Sequence, residues 1–309
     1  MELRQLRQFL CLVETKNFHR AAEKLNTAQP PLSVSIRKLE LDLGVSLFER
    51  HSRGVSLTPE GELAAEQARE IVRMADALLQ CAKQTVTGVR GRLNVGFVAS
   101  ATYDLIPALV PVFRERFPAV ELRLKEATSV EIVSGLVQGE LDVGLVRTPI
   151  FGTSGIGIVP IVSEAMVLAV PRGHRFESRA EVRLEDLGEE PLIMWNREAE
   201  PWFQTLIDLS FAKVGIAPTV VEEASHVHTV LALVECGVGG ALVPSVLRRS
   251  GTGRVRLVDV TCQGEPIPIG LAIAVRLDHP RAVATNFTKV ATDVVSDPSW
   301  HPQLSAHSD

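Results

Sequence analysis

The stretch FHRAAEKLNTAQPPLSVSIRKLE, residues 18–40, decides how the amino-terminal part of the chain folds. Its apolar residues recur at helical spacing, yet Pro30 and Pro31 stand in the middle. Proline in a helix interior removes a backbone donor and clashes with the preceding turn, at a cost of about 3 kcal/mol. Asn26 and Thr27, just before, favour turns and helix caps. We therefore predict that a new helix starts here, with both prolines in its first turn, where a missing N–H costs nothing.

Three short amphipathic helices follow from the apolar spacing around this turn. Their apolar sets are Leu3, Leu6, Phe9, Leu10 and Val13, then Phe18, Ala21, Ala22 and Leu25, then Leu32, Ile36, Leu39 and Leu43. Two short helices joined by a tight turn form a helix-turn-helix, whose second helix enters the major groove of DNA. The same pattern also suits a plain three-helix packing unit with a solvated polar face.

The side of the third helix opposite its apolar stripe carries hydroxyls, cations and an amide that can meet base edges and phosphates. The candidate DNA contacts on it are Gln29, Pro30, Ser33, Val34, Arg37 and Lys38. Next, LFERHSRGVSLT predicts two short strands that turn through Ser52, Arg53 and Gly54. Arg50 and Arg53 would lie at the tip of this wing, within reach of phosphates or the minor groove.

The stretch from Phe18 to Gly61 resembles the winged helix-turn-helix of the LysR-type transcriptional regulators, and some sixty residues match without a gap. The resemblance implies DNA contacts by Gln29, Pro30, Ser33, residue 34, Arg37 and Arg53. Family members often carry a polar or basic residue where this chain has Val34, which could instead touch a thymine methyl group. The implied function is a cytoplasmic DNA-binding regulator and not an enzyme.

A long helix is predicted to follow the wing. Its start is predicted by Thr58 as the N-cap, Pro59 as the first helical residue and Glu60 as an acid in the first turn. Ile71, Met74, Leu78 and Cys81 then recur at heptad spacing. A helix this long and narrow buries such a stripe most readily against a second copy of itself. The resemblance implies a dimerising linker helix, a pseudo-palindromic double-stranded operator, assembly into a homotetramer and RNA polymerase as a further candidate partner.

The remaining chain alternates strand-like and helix-like segments, which predicts mostly parallel sheet flanked by helices. The predicted fold class is α/β overall: an all-α winged helix-turn-helix domain (1–58), a linker helix (59–87) and a two-lobed, periplasmic-binding-protein-like effector domain (88–295). Lobe I would span about 91–162 plus 267–295 and lobe II about 163–266. Residues 296–309, SDPSWHPQLSAHSD, are predicted to be a flexible tail.

The effector cleft is expected beyond the carboxyl ends of the strands, at helix N-termini. Candidate residues from the first lobe are Ser100, Ala101, Thr102, Thr128 and Arg147, and from the second Trp202, Phe203 and His226, with Trp195 nearby. Hydroxyls, free amides and a guanidinium suit a carboxylate. Alternatively, Ser100 and Thr128 are ordinary helix caps, Arg147 pairs with an acid between the lobes and Trp195 is core. These positions most resemble the regulators of catechol and muconate pathways in aromatic catabolism, which implies a muconate- or benzoate-like effector.

Charge distribution and cysteine spacing limit the alternative functions. Residues 1–58 carry nine Lys/Arg and six Asp/Glu, while the remainder is acidic, which suggests that a polyanion binds the amino-terminal head. The sequence predicts no cofactor, metal site, catalytic residue, signal peptide or membrane segment. A redox sensor of the same family would use Cys236 and Cys262, although Cys236 is expected to be buried and inert. An enzyme or solute-binding protein on the two-lobed fold is the other alternative.

Overall fold

The protein is described by a computed structural model that covers residues 1–51, 54–250, 253–298 and 300. The chain divides into two compact units, the first ending at Gln84 and the second beginning at Thr85. In the first unit, the helices are α1 (Leu3–Thr15), α2 (Phe18–Lys24), α3 (Gln29–Leu43) and α4 (Pro59–Val86), the last of which runs two residues past the division. Strands β1 (Phe48–His51) and β2 (Gly54–Leu57) form an antiparallel wing.

The turn between α2 and α3 forms as predicted. Asn26 adopts a left-handed conformation with φ of 48°, and both prolines lie in the first turn of α3. Asn17 caps α2 by accepting hydrogen bonds from the backbone N–H groups of His19 and Arg20, at 2.9 and 3.2 Å. Each segment boundary is thus set by a residue whose backbone or side chain suits a helix end.

The core of the first unit is built from the predicted apolar stripes. Phe9, Leu32, Ile36 and Leu39 are all almost fully buried, and Ala21 and Ala22 let α2 pack closely. Leu12, which was not in the predicted stripe of the first helix, is fully buried as well. Leu43 departs from the prediction, because it is 41% exposed. It is the last residue of α3, before the left-handed cap Gly44, so the stripe continues beyond the surface that the other helices cover.

Helix α4 is amphipathic, and the buried part of its apolar face lies in its first half. It spans 28 residues, about 42 Å at 1.5 Å per residue. Ala65 and Ala68 pack into the core of the first unit. Ile71, Met74 and Leu78 are 42%, 64% and 71% exposed, whereas Cys81 is half-buried.

The second unit has two lobes, each with its own hydrophobic core. Its helices are α5 (Leu105–Arg116), α6 (Ser129–Gln138), α7 (Pro201–Val214), α8 (Val227–Glu235) and α9 (Ala282–Ser296). Its strands are β3 (Arg90–Phe97), β4 (Ala119–Glu126), β5 (Val143–Thr148), β6 (Ile156–Pro171), β7 (Glu181–Arg183), β8 (Pro191–Trp195), β9 (Thr219–Ala224), β10 (Ala241–Pro244), β11 (Val255–Cys262), β12 (Glu265–Pro266) and β13 (Pro268–Arg276).

The first lobe is a sheet in the order β4-β3-β5-β13-β6, in which β3, β4 and β5 are parallel and β13 runs against its neighbours. Strand β6 crosses between the lobes. It pairs with β13 as far as Ala165 and with β10 from Met166 onward. In the second lobe β10 and β11 pair with β6, β7 and β12 pair with β11, and β8 pairs with β9. Because β3, β4 and β5 are parallel, their carboxyl ends meet at one edge of the sheet.

The chain remains packed beyond the end of α9. Trp300 is half-buried against the core of the first lobe, and its backbone N–H donates to the carbonyl of Asp297 at 2.9 Å. The predicted flexible tail, which starts at residue 296, therefore contains the last residue of α9 and a packed tryptophan. Residues 299 and 301–309, which make up most of that tail, lie outside the part that the structure describes.

Candidate functional site

The exposed face of α3 carries most of the predicted DNA contacts. Gln29, Pro30, Val34, Arg37 and Lys38 are exposed, and Ser33 is half-buried. Val34 is 65% exposed, although a valine side chain gains nothing from solvent. An apolar side chain held out on a recognition helix suits contact with a thymine methyl group.

The wing adds one described cation next to this face. Arg50 lies on β1 with its guanidinium 5.4 Å from the centre of the Phe18 ring. This stacking holds the charge at the surface, where no acid of the described residues forms an ion pair with it. Arg53, the other predicted wing contact, lies outside the described residues.

A small cavity lies between the two lobes of the second unit, at the carboxyl ends of β3, β4 and β5. It measures about 30 Å³. Its wall consists of Val98, Ala99, Ser100, Ala127, Thr128, Arg147, Trp195, Glu200, Phe203, Ser225, His226, Val227 and Pro244. Such a volume holds one or two waters, far less than the 300–1,000 Å³ of a typical ligand pocket. The lobes are therefore closed around the site.

Five of the predicted effector residues line this cavity, namely Ser100, Thr128, Arg147, Phe203 and His226, and Trp195 lines it too. Ala101, Thr102 and Trp202 do not. Within the 3₁₀ turn Ala99–Tyr103, Ala101 points into the core and is fully buried, whereas the exposed Thr102 hydroxyl donates to the Ala99 carbonyl at 2.6 Å. Trp202 precedes Phe203 on α7, and neighbouring helical residues point about 100° apart.

Arg147 lies at the centre of the polar contacts. Its Nε donates to Ser100 Oγ at 2.9 Å, and its Nη1 is paired with the Glu164 carboxylate. Both side chains of this pair are 7% exposed. The Nη2 atom of Arg147 is buried, and no described residue provides it with a hydrogen-bond partner. An unsatisfied donor on a buried guanidinium is costly and suits an oxygen ligand that the cavity would admit.

Glu164 ties the lobes together through the same contact. Its other carboxylate oxygen accepts a hydrogen bond from the backbone N–H of Val246 at 3.0 Å and a longer one from Ser245 Oγ at 3.4 Å. These residues belong to the 3₁₀ turn that follows β10 in the second lobe. The sequence interpretation that Arg147 pairs with an acid between the lobes therefore holds, and it is compatible with ligand contact through Nη2.

Thr128 is both a cap and a wall of the cavity. Its hydroxyl accepts from the N–H of Glu131 at 3.3 Å, while the Glu131 carboxylate accepts from the N–H of Thr128 at 2.8 Å. This reciprocal capping box begins α6. The hydrogen bond from the Thr128 backbone lowers the pKa of Glu131 from its usual value, despite an opposing effect of burial.

Glu200 is the residue that sequence reasoning missed. It precedes Pro201 at the start of α7, is 8% exposed and accepts a hydrogen bond from the backbone N–H of Ser129 at 3.2 Å. Burial raises the pKa of Glu200 to about 7, and the hydrogen bond from Ser129 and the Arg147 charge oppose that rise. An acid placed just before a helix-starting proline and the aromatic pair WF was the available signal.

A larger hollow lies at the opposite end of the first lobe, between α9, the start of β5 and the end of β13. It measures about 480 Å³. Arg276, Arg281 and Lys289 are the cations in its wall, and the predicted effector residues are not part of it. The larger hollow is therefore not the predicted effector site, because the predicted effector residues line the smaller cavity.

The cysteines behave differently from expectation. Cys236 is exposed, so the predicted burial is wrong: it is the cap residue just after α8 and does not belong to the core of the second lobe. Cys262 is half-buried, with its sulfur 3.6 Å from the carbonyl of Ser210. Neither forms a disulfide in the described part of the chain.

Comparison with known proteins decides the family. The LysR substrate binding domain matches residues 87–295, and the bacterial regulatory helix-turn-helix protein of the lysR family matches residues 3–62. The chain belongs to the LysR family of transcriptional regulators. It is 34% identical over 300 residues to the HTH-type transcriptional regulator IlvR of Caulobacter vibrioides, which covers 96% of this chain and 100% of the relative.

Other LysR relatives are equally similar. The chain is 35% identical over 249 residues to AlsR of Bacillus subtilis (81% of this chain, 82% of the relative) and 33% identical over 247 residues to BenM of Acinetobacter baylyi (79% and 81%). The crystal structure of full-length CbnR with its target DNA matches with a TM-score of 0.78 at 27% identity, over 96% of this chain and 100% of that one.

These matches make the protein a DNA-binding transcriptional regulator with an effector-binding domain and not an enzyme. The two-domain fold that the sequence predicted is confirmed by the same comparisons. Within the described residues, no helix is both long and apolar enough to cross a membrane.

Proposed function

We propose that this LysR regulator senses a small carboxylate between the lobes of its second unit and responds by changing promoter binding or transcription. The observation that carries the proposal is Arg147 Nη2, a buried cationic donor on a side chain of the cavity wall that has no hydrogen-bond partner among the described residues. Ser100 Oγ holds the guanidinium in position, at 2.9 Å from Nε. A carboxylate oxygen is the strongest acceptor that could complete this arrangement.

The walls of the cavity suit the rest of an organic acid. Phe203 packs edge-on against Trp195, with ring centres 4.9 Å apart, and Val98, Val227 and Pro244 add further apolar surface. A muconate- or benzoate-like acid, as in regulators of aromatic catabolism, would place its unsaturated body against these rings. Because the closed cavity measures about 30 Å³, such an acid requires the lobes to part, and a shorter acid requires less opening.

The proposed DNA contacts are Gln29, Pro30, Ser33, Val34, Arg37, Lys38, Arg50 and Arg53. Exposure of the α3 face and of Arg50 supports them. The exposed apolar stripe of α4 supports dimerisation through this helix, which would present two recognition helices to a pseudo-palindromic operator. Assembly of two such dimers into a homotetramer and contact with RNA polymerase complete the proposal.

The test is thermal unfolding of the full-length protein with benzoate, cis,cis-muconate, salicylate and a size series from formate to propionate. A ligand at about a hundred times its dissociation constant adds roughly 2.7 kcal/mol of stability. The expected result is a raised midpoint for at least one acid, lost in Arg147→Ala and retained in the surface control Arg114→Ala. Failure of every acid to raise the midpoint would reject the carboxylate assignment.

A further inference from the structure

The amino terminus of α6 is occupied by an acid from the opposite lobe. Ser129 is the first residue of α6 and is 1% exposed. Its N–H is one of the helix-start donors that have no intrahelical partner. That donor is taken by Glu200 Oε1 at 3.2 Å, 71 residues away in sequence. The cleft thus already contains a carboxylate of its own.

Glu200 is not held there by its own helix. It is the N-cap residue of α7, but its side chain makes no capping hydrogen bond to α7. The carboxylate instead reaches across the cleft to α6, at the cost of burying an acid that is only 8% exposed. The Glu200 carboxylate thus binds α6 of the first lobe and not its own helix in the second lobe. This contact holds the two lobes in the closed arrangement.

The donors around Glu200 are those that an incoming acid would use. Ser100, Thr128 and Arg147 share the cavity wall with Glu200, and Arg147 Nη2 is still open. The closed volume of about 30 Å³ leaves no room for a carboxylate with an organic body unless a resident group moves. Glu200 is the resident group of the same chemistry.

The charges that face Glu200 come from four elements. Arg147 on β5 attracts it, Glu131 on α6 repels it, and Glu164 on β6 already neutralises Arg147. His226, at the start of α8, lines the same cavity. Arg147 therefore already pairs with Glu164 and attracts Glu200 before any ligand arrives. A ligand anion would add a further negative charge, and in a site of low dielectric constant one acid must then take up a proton.

We propose that Glu200 is an internal stand-in for the effector carboxylate, which displaces it from the Ser129 N–H while Glu200 takes one proton from solvent. This inference rests on the proposed carboxylate-sensing function. No covalent bond forms: the ligand arrives as an anion, a solvent proton binds a Glu200 oxygen, and the charge of the cleft is unchanged. The effector is thus an organic acid whose binding is coupled to proton uptake and weakens as pH rises.

The protonation equilibrium of Glu200 makes this exchange accessible near neutral pH. Because burial raises the pKa of Glu200 to about 7, the carboxyl group is mostly neutral at pH 6 and mostly ionised at pH 8. Binding that requires the neutral form becomes weaker by close to tenfold for each pH unit above about 7 and changes little below about 6.

Titration calorimetry of the full-length protein with benzoate and with formate tests the inference. Each acid is titrated at pH 6 and pH 8, in phosphate and in Tris, whose ionisation heats differ. The expected uptake is about one proton per ligand at pH 8 and close to none at pH 6. Glu200→Gln removes the uptake and the pH dependence, whereas Glu198→Gln, an exposed acid two residues earlier, keeps both.

His226 lines the same cavity, and an imidazole is a second group there that can bind a proton, so it needs its own control. His226→Asn keeps the proton uptake if Glu200 is the responsible group, even where the affinity changes. Loss of the uptake in His226→Asn together with its retention in Glu200→Gln would overturn the inference. If Glu200→Gln fails to fold, the wild-type proton count and the His226→Asn result still decide.

Different results would reject the role of Glu200 and the carboxylate-sensing function. Acid binding without proton uptake at pH 8 would reject the role of Glu200 and leave the carboxylate-sensing function standing. Absence of binding to both wild type and Glu200→Gln would reject the carboxylate function itself and, with it, this inference.

Discussion

Arg147 and Glu164 form a buried ion pair that joins β5 of the first lobe to the strand that crosses into the second. Both side chains are 7% exposed, and the Glu164 carboxylate also accepts the N–H of Val246 in the second lobe. A buried pair of this kind contributes little over an apolar replacement, but removing one partner leaves an uncompensated charge. We therefore expect the pair to couple the occupancy of the cleft to the closure of the lobes.

Glu164→Gln is expected to destabilise the ligand-free protein by about 3 kcal/mol, because it leaves the buried Arg147 charge without its partner. A bound acid would restore that partner, so the acid should raise the unfolding midpoint of the variant more than that of wild type. Urea unfolding with and without benzoate measures both effects. The exposed control Glu140→Gln should match wild type, and equal ligand shifts in all three proteins would contradict the coupling.

Stability should fall with rising pH through the titration of Glu200. Its pKa is about 7 in the folded protein against a usual 4.5, so between these values the folded state holds a proton that the unfolded chain has released. The contribution is full below pH 4.5 and is lost as pH approaches 7, a change of about 3 kcal/mol.

The measurement for Glu200 is the difference in unfolding free energy between wild type and Glu200→Gln from pH 4.5 to pH 8. The unfolding free energy of wild type should fall relative to that of the variant as pH rises, and the difference should become constant above about pH 7. Glu198→Gln should give a flat difference, since its carboxylate is exposed. A flat line for Glu200→Gln would show that this acid does not titrate in the predicted range.

Thr128→Ala removes the capping box of α6 and should cost about 1 kcal/mol of stability. Thr128→Ser keeps the hydroxyl and should retain most of it. If Thr128 also contacts the effector, the alanine variant loses acid-induced stabilisation beyond the loss of the cap, and the serine variant does not. Thermal unfolding with and without acid separates the two roles, and an unchanged acid response in Thr128→Ala would restrict Thr128 to capping.

Arg37→Ala is expected to weaken operator binding by about 1–3 kcal/mol if Arg37 reads a base edge. A phosphate contact would instead weaken all sequences alike and reduce the salt slope by about one. Fluorescence anisotropy on operator and random duplexes at several salt concentrations distinguishes the two. Arg114→Ala removes the same charge from the exposed face of α5 and should leave DNA binding unchanged. An equal loss in that control would point to overall charge.

Met74→Glu and Leu78→Glu are expected to dissociate the proposed dimer, because they put like charges into the stripe on which two copies of α4 would pair. These side chains are 64% and 71% exposed in the single chain, so the folded unit itself should tolerate the change. Sedimentation equilibrium measures the mass. Gln80→Glu, off the stripe on the same helix, should leave the mass unchanged, and persistent dimers in both stripe variants would place the interface elsewhere.

Much of the first unit was predictable because its signals are local. The position of Pro30 and Pro31 in the first turn of α3 follows from what proline does to a backbone, and the buried stripe of Leu32, Ile36 and Leu39 follows from helical periodicity. Periodicity failed at Leu43, because it states which side of a helix a residue is on and not how far the neighbouring helices extend.

The candidate effector site shows the same division. The sequence alone predicted that Ser100 and Thr128 follow two strands, that Arg147 ends a third, and that all three therefore meet at one edge of a mostly parallel sheet. Only the tertiary structure decided that Arg147 pairs with Glu164 and that Glu200 occupies the Ser129 N–H. The residues of each pair are distant in sequence, and Ser129 and Glu200 belong to different lobes. Their contact depends on how the lobes close, and neither helical nor strand periodicity contains that information.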